Sequence, residues 1–199
     1  MEIVYKDCVV YSITDNNKNQ FFLFKGMKDC LFCDIYQKEK EELSSEDYRG
    51  TEIFYENDFF FSRFDRFPVS PGHALVIPKR HVVSLQQLTD DEWASLKPAL
   101  DYTLKLIERN DLKQVYKDFL TNPVNDKSVE FCRRMLTHPG IDQKMDGYNH
   151  GGNEGEAAGR TIHHQHTHII PRYHGDVDNP RGGIRHVISG WGNYGDKSS

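Results

Sequence analysis

The chain has no run of about 18 apolar residues, the length a membrane-spanning helix needs. Its opening, Met1-Glu2-Ile3-Val4-Tyr5-Lys6-Asp7, lacks the apolar centre and small-residue cleavage site of a secretion leader. These absences lead to the expectation of a soluble, cytoplasmic protein with no membrane partner. A basic excess is missing too: 25 Lys and Arg stand against 30 Asp and Glu, a net charge of −5. General nucleic-acid binding, which leaves a basic footprint, is therefore not expected. A local basic pocket for a small phosphorylated ligand stays open. Cysteine is scarce, with four in the chain, and only Cys30 and Cys33 lie close together. In a cytosolic chain that spacing reads as metal ligation or redox chemistry before a structural disulfide. Cys8 and Cys132 read as ordinary buried thiols. No internal repeat is present.

What remains suits one decorated domain: 199 residues, 37% of them hydrophobic and 12% aromatic. Residues 1–27 read as a β-rich extension, with strands at 9–13 and 20–24 around an Asp15 to Asn19 turn. Tyr36 to Asp47 is charged and reads as a solvated helix or loop. Strands follow at 53–55, 59–64 and 73–78, the last a short apolar run bounded by proline. Turns at Asn57-Asp58 and Pro71-Gly72 make antiparallel pairing the simplest topology. Thr89-Asp90-Asp91-Glu92 opens the clearest helix, with a capping box and acids in its first turn. Trp93, Leu96, Leu100, Leu104 and Ile107 then recur at helical spacing as a core stripe, and Pro98 within it could kink the helix. Residues 110–146, with Asn122-Pro123, His138-Pro139-Gly140 and a charged Lys127 to Arg134 segment, suggest one or two short helices in an insertion. His138 reads there as a surface residue. Residues 189–199 carry Gly, Asn and Ser and read as a frayed tail.

The chemistry concentrates in His164-Gln165-His166-Thr167-His168. On a β-strand, alternate residues share a face, so three imidazoles are expected along one side of one strand. Imidazole serves as nucleophile, proton shuttle or metal ligand near neutral pH. The span from first to last is roughly 13 Å by strand rise, so two of the three, not all, can reach one ion. The glycine-rich Asn153 to Thr161 loop precedes them, and Asn153, Arg160 and Thr161 can donate hydrogen bonds to a phosphate. That favours covalent attack on phosphorus over a three-histidine metal site. Cys30-Leu31-Phe32-Cys33 can supply two ligands to a tetrahedral zinc, completed by histidines, with His81 and a triad histidine as candidates. The redox alternative needs a helix starting at the first cysteine and a βαβ pattern, neither of which the sequence suggests.

Taken in order, these motifs resemble those of the histidine triad (HIT) family. The family pattern His-φ-His-φ-His-φ-φ, with φ apolar, is matched by His164, His166, His168, Ile169 and Ile170. Asn153-x-Gly155-x-x-Ala158-Gly159-Arg160-Thr161 resembles the family's phosphate loop. Phe64-Asp65-x-x-Pro68 and Pro71-Gly72-His73-x-Leu75-Val76-Ile77-Pro78-Lys79-x-His81 resemble its nucleotide-side strands. Cys30 and Cys33 match its zinc-containing branch. The likeness covers roughly residues 28–109 and 147–188, within a domain expected at 28–188. It implies an α+β fold with a central antiparallel sheet and flanking helices, often as a homodimer. It implies hydrolysis at the α-phosphate of a dinucleoside polyphosphate or nucleoside phosphoramidate, purine nucleotides favoured, through a nucleotidyl-histidine on His166. His168 would contact phosphate and assist proton transfer, with His73 in support. Asp65 would bind ribose, and Asn153 and Thr161 the phosphate. Cys30, Cys33, His81 and His164 would hold a structural zinc.

The chain departs from the pattern in three places. Arg160 stands where the family commonly has glutamine, adding fixed charge beside the phosphate. Gln165 and Thr167 are polar where apolar residues are preferred, so the opposite strand face is either wetter or packed under the insertion. Pro180 to Arg185 adds arginines that could reach a polyphosphate tail, form a dimer contact or simply pair with acids on the surface. Other readings are a nucleotidyltransferase or phosphorylase, a nucleotide-binding module with little turnover, and a metal hydrolase built on two triad histidines. Glutamine usual at the third triad position of the transferase branches weighs against them, since His168 stands there.

Overall fold

The computed structural model describes residues 3–5, 8–14, 20–25, 30–40 and 52–188. Strands β1 (Ile3–Tyr5), β2 (Cys8–Thr14) and β3 (Gln20–Lys25) pair antiparallel in that order. The expected frayed tail lies outside the described residues, as does most of the charged Tyr36 to Asp47 segment.

A five-stranded antiparallel sheet organises the rest. Its strands are β4 (Ile53–Glu56), β5 (Phe60–Phe64), β6 (Ala74–Pro78), β7 (Gly147–Gly151) and β8 (Thr167–Arg172), in the order β4-β5-β6-β8-β7. With its flanking helices this is an α+β fold. Both faces are covered, so β5 and β6 are buried at every residue. Strand alternation sorts them. Phe60, Phe64, Ala74 and Val76 face α2 (Asp90–Ile107), α3 (Leu112–Thr121) and α4 (Asp126–Leu136). Phe61, Leu75 and Ile77 face α1 (Leu31–Lys40), packing with its Phe32. Leu75 pairs with His168 across the β6–β8 ladder, and paired residues share a face. The triad's strand residue thus looks toward α1, on the same side as His73.

Helix α2 begins as its sequence dictates. The Thr89 side chain accepts from the Glu92 amide, and the Glu92 carboxylate accepts from the Thr89 amide. The helix runs unbroken through Pro98. Pro98 and Ala94 are exposed, so the Ala94 carbonyl that loses its donor lies on the wet side. The buried stripe also differs from the expected one: it is Glu92, Leu96, Ala99, Thr103 and Ile107, while Trp93 is 47% exposed. Two polar residues enter the stripe because each is satisfied. Thr103 shares a 2.6 Å hydrogen bond with Ser62, and Glu92 takes both guanidinium arms of Arg80.

The 110–146 segment holds two helices, capped by Asp111 and Asn125. Tyr116, Cys132 and Met135 from it are fully buried in the main core. His138 is half-buried against the Tyr173 ring, and its Nδ1 accepts from the Gly140 amide, so it is more than a surface residue. Among the described residues no helix is long and apolar enough to cross a membrane.

Candidate active site and metal centre

Helix α1 starts at Leu31, directly after Cys30, so the helix the sequence did not suggest is present. The Cys30 carbonyl accepts from the Asp34 amide and forms its first turn. Redox chemistry of the thioredoxin kind still lacks its βαβ frame, because the adjoining sheet is antiparallel. What stands beside the two thiols is a pair of histidines. Cys30 Sγ lies 3.3 Å from His164 Nδ1, and Cys33 Sγ lies 3.4 Å from the Nδ1 atoms of both His81 and His164. All four donor atoms fall within 4.8 Å of one another. Ligands around one tetrahedral zinc, at about 2.0–2.3 Å each, sit roughly 3.3–3.8 Å apart. The set therefore fits such an ion. The Cys30 thiol is drawn down to about 2, first by Cys33, against burial, with His164 and His81 adding to the effect. A thiolate is what a metal takes.

The frame that delivers these ligands is specific. The Gln165 amide donates to the Val82 carbonyl at 2.6 Å, which holds the triad segment against the chain just after His81. Arg80, clamped by Glu92 and the Gln87 carbonyl, fixes the His81 side. Phe32, from between the cysteines, stands edge-on to both His164 and His166.

The three histidines do not share one strand. Only His168 lies in β8; His164 sits in a bend, and His166 in the irregular chain between that bend and the strand. The bend turns His164 toward the cysteines and leaves His166 with His168, ring centroids 5.0 Å apart. Gln165 and Thr167 are 2% and 6% exposed, so the segment is buried on both sides, and of the two expectations for that face the packed one holds and the wetter one does not.

Each ring's proton is fixed by what its nitrogens meet, since a carbonyl can only accept. His164 Nε2 lies 2.8 Å from the Pro78 carbonyl, so Nε2 carries the proton and Nδ1 keeps the lone pair toward the thiols. His166 Nδ1 lies 2.7 Å from the His164 carbonyl, so Nδ1 carries the proton and Nε2 keeps the lone pair. His73 Nδ1 accepts from the Val69 amide, and its Nε2 lies 3.0 Å from His168 Nδ1. His73 therefore donates, and His168 holds its own proton on Nε2. Burial pushes the pKa of His166 down. It pushes His73 down as well, with Asp65 opposing. His168 falls to about 4 through burial, then His73 and His166. All three rings are neutral at neutral pH.

Asp65 joins this group. One carboxylate oxygen accepts from the Phe67 amide at 2.7 Å; the other faces His73 Nε2 at 3.7 Å. The glycine-rich loop is less open than its sequence suggests. Arg160 Nε donates to the Asn153 carbonyl at 2.8 Å, and its Nη2 pairs with Glu154 at 2.5 Å. Glu154 also accepts from the Leu85 amide. The Asn153 amide makes no side-chain bond among the described residues, and Thr161 is exposed.

The structure thus gathers Cys30, Cys33, His81 and His164 at one point, and Asp65, His73, His166 and His168 at another. Sequence reading missed Phe32, Arg80, Tyr116 and Tyr173. Glu92 carried a signal, because a capping-box acid followed by helical burial needs a cation; the tyrosines carried none.

Comparison with known proteins fits this frame. The HIT domain pattern matches residues 49–175, and the chain belongs to the HIT family. An uncharacterised HIT-like protein of Methanocaldococcus jannaschii is 29% identical over 147 residues, covering 74% of this chain and 81% of its own length. A bis(5'-adenosyl)-triphosphatase of Dictyostelium discoideum is 28% identical over 131 residues, covering 66% of each. An adenylylsulfatase of Arabidopsis thaliana is 28% identical over 144 residues, covering 72% of this chain and 52% of the relative.

Proposed function

We propose that the chain is a nucleotide hydrolase that cleaves at the α-phosphate through a covalent nucleotidyl-histidine on His166. The observation that carries this is the proton assignment. The His164 carbonyl occupies His166 Nδ1, so the Nε2 lone pair is the one left to attack. Beside it, His168 holds a proton on Nε2 because His73 occupies its Nδ1. A nucleophile and a hydrogen-bond donor therefore stand together as neutral rings, one to attack phosphorus and one to hold the charge that develops on the leaving group.

Nε2 of His166 forms a bond to the α-phosphorus as the bond to the leaving group breaks. The leaving group departs as an anion that accepts a hydrogen bond from His168 Nε2, or as an amine that takes a proton from solvent. Water then attacks the same phosphorus, the phosphorus–nitrogen bond breaks and returns its electron pair to His166 Nε2, and the water proton is released to solvent. The products are a nucleoside monophosphate and the leaving group. Asp65 binds the ribose hydroxyls with its outer oxygen, and Asn153 and Thr161 hold the phosphate. Arg160 contributes charge at the loop. The relatives named for triphosphatase and sulfatase activity support an adenylyl group joined to an acidic leaving group.

Cys30, Cys33, His81 and His164 hold a zinc ion in this reading. All four positions are filled by protein, so its role is to tie α1 to the sheet, and no step passes through it.

The test is release of nucleoside monophosphate from a panel of dinucleoside polyphosphates, nucleoside phosphoramidates and adenylyl sulfate. Turnover of at least one, with a nucleotidyl adduct mapped to His166 after rapid quenching, is expected. Failure of the wild-type protein on every member would sink the hydrolase reading.

A further inference from the structure

The Pro71–Gly72 turn delivers His73 to the site, and its central peptide is held in an unusual way. The His73 amide bonds to the Ser70 carbonyl at 3.0 Å, closing a four-residue turn. Gly72 has φ +82°, the value that the third residue of a type II turn adopts. Type I and type II turns differ by a flip of the peptide between the two central residues. Here that peptide joins Pro71 to Gly72, and both of its polar atoms meet a tyrosine hydroxyl. The Gly72 N–H donates to Tyr116 Oη at 2.7 Å, and Tyr173 Oη donates to the Pro71 carbonyl at 3.1 Å. Flipping the peptide would break both bonds in a buried place, with Tyr116 at 0% and Tyr173 at 5% exposure. Burial also raises both phenols, Tyr173 to about 12, so each stays a neutral hydroxyl.

The two tyrosines share a source of support. Tyr116 belongs to α3 in the 110–146 segment. Tyr173 is pressed from the same segment: a Cβ on Gly140 would lie 2.5 Å from its ring, and the His138 ring stands 5.6 Å away. A Cβ on Gly72 would lie 2.6 Å from Ile107, so the turn has no slack on its remaining side.

We infer that Tyr116 and Tyr173 are positioning residues: they clamp the Pro71–Gly72 peptide and so set the His73 ring that orients His168. The helical segment at 110–146 thereby governs the orientation of His168 from a distance. The inference rests on the hydrolase reading for its kinetic consequence, while the placement of the His73 and His168 rings can be read independently of turnover.

The experiment uses the full chain with Tyr116→Phe and Tyr173→Phe, and Leu96→Ala in α2 as a control for lost stability. Two quantities are measured: kcat and KM on the best substrate, and ring 15N shifts that report which nitrogen of His73 and His168 carries the proton. Either tyrosine change is expected to lower kcat about tenfold with KM within about twofold, a cost in keeping with small misplacements of catalytic groups. Each should also shift the ring signals of His73 and His168. The control should lose at least as much thermal stability with kcat and ring signals unmoved. Unchanged ring signals in both tyrosine variants would overturn the inference, whatever the activity. If Tyr116→Phe fails to fold, Tyr173→Phe decides alone. A wild type without turnover refutes the hydrolase reading and leaves the ring signals to decide the clamp.

Discussion

His164 and His166 stand two residues apart, are both buried, and hold their protons on opposite nitrogens. His164 donates from Nε2 to the Pro78 carbonyl and turns Nδ1 to two thiols and His81. His166 donates from Nδ1 to the His164 carbonyl and leaves Nε2 open. A single backbone carbonyl at each ring decides whether that imidazole turns its lone pair into a four-donor cluster or keeps it for the attack proposed above. The first site is self-contained and suits holding the fold together. The second is incomplete on one side and suits chemistry. The comparison makes a strong claim: changes at the two rings should separate activity from stability.

The largest effect follows from His166→Asn. Turnover is expected to fall at least about 10⁴-fold, as for loss of an attacking group, while the thermal midpoint and metal content stay near wild type. His164→Asn should do the reverse in kind. Metal content should drop from about one zinc per chain to none, by elemental analysis. Unfolding stability should fall by about 4 kcal/mol where free zinc exceeds its dissociation constant a thousandfold. A chelator on the wild type should reproduce that loss in urea titrations. A urea midpoint that ignores the chelator would dissolve the comparison, since the cluster would then be four packed side chains and no metal centre.

The sequence made the chemistry easier to read than the geometry, and the reason is local against non-local information. The Thr89 to Glu92 cap is a contact between neighbours in the chain, so its residues announce it. The partners of Cys30 and Cys33 are 131 and more residues away at His164, and the spacing of two cysteines says only that partners exist. Alternation placed three histidines on one strand; the backbone bends before β8, because one ring must turn to the thiols and another must not. Trp93 fits a helical stripe by spacing, yet the sheet covers a stripe rotated away from it. Tyr116 carried no signal in the sequence, since its hydrogen bond goes to an amide 44 residues earlier.

The next effect is pH-dependent and sharpens the catalytic half of the comparison. His168 has a folded pKa of about 4 against 6.5 for an unconstrained ring, and burial lowers His73 as well. The unfolded chain therefore binds more protons between those values, so stability must fall as pH falls. It is complete above about 6.5, declines toward about 4, and levels off below. For His168 alone the loss between pH 7 and 5 should be on the order of 1–2 kcal/mol. Urea midpoints across that range, with metal present, should fall less steeply in His168→Asn than in the wild type. Equal slopes would mean that His168 is solvated enough to titrate normally.

The smallest effect concerns the loop that belongs to neither ring. Arg160 is 8% exposed at its side chain, while its partner Glu154 is 39% exposed. An ion pair with one partner on the rim contributes only about 0.2–1 kcal/mol, so Glu154→Gln should barely move the melting point. Its kinetic consequence should be the larger one. With the carboxylate gone, Arg160 loses the anion that neutralises it and keeps its bond to the Asn153 carbonyl. Its charge then falls on whatever anion occupies the loop. KM for a polyphosphate-linked substrate should drop a few-fold, and the drop should shrink with added salt. KM for a phosphoramidate, whose leaving group is an amine, should change less. Arg160→Gln should remove the distinction between the two substrates. Equal responses of both to Glu154→Gln would show that Arg160 acts only on the loop's backbone and reads no charge on the leaving group.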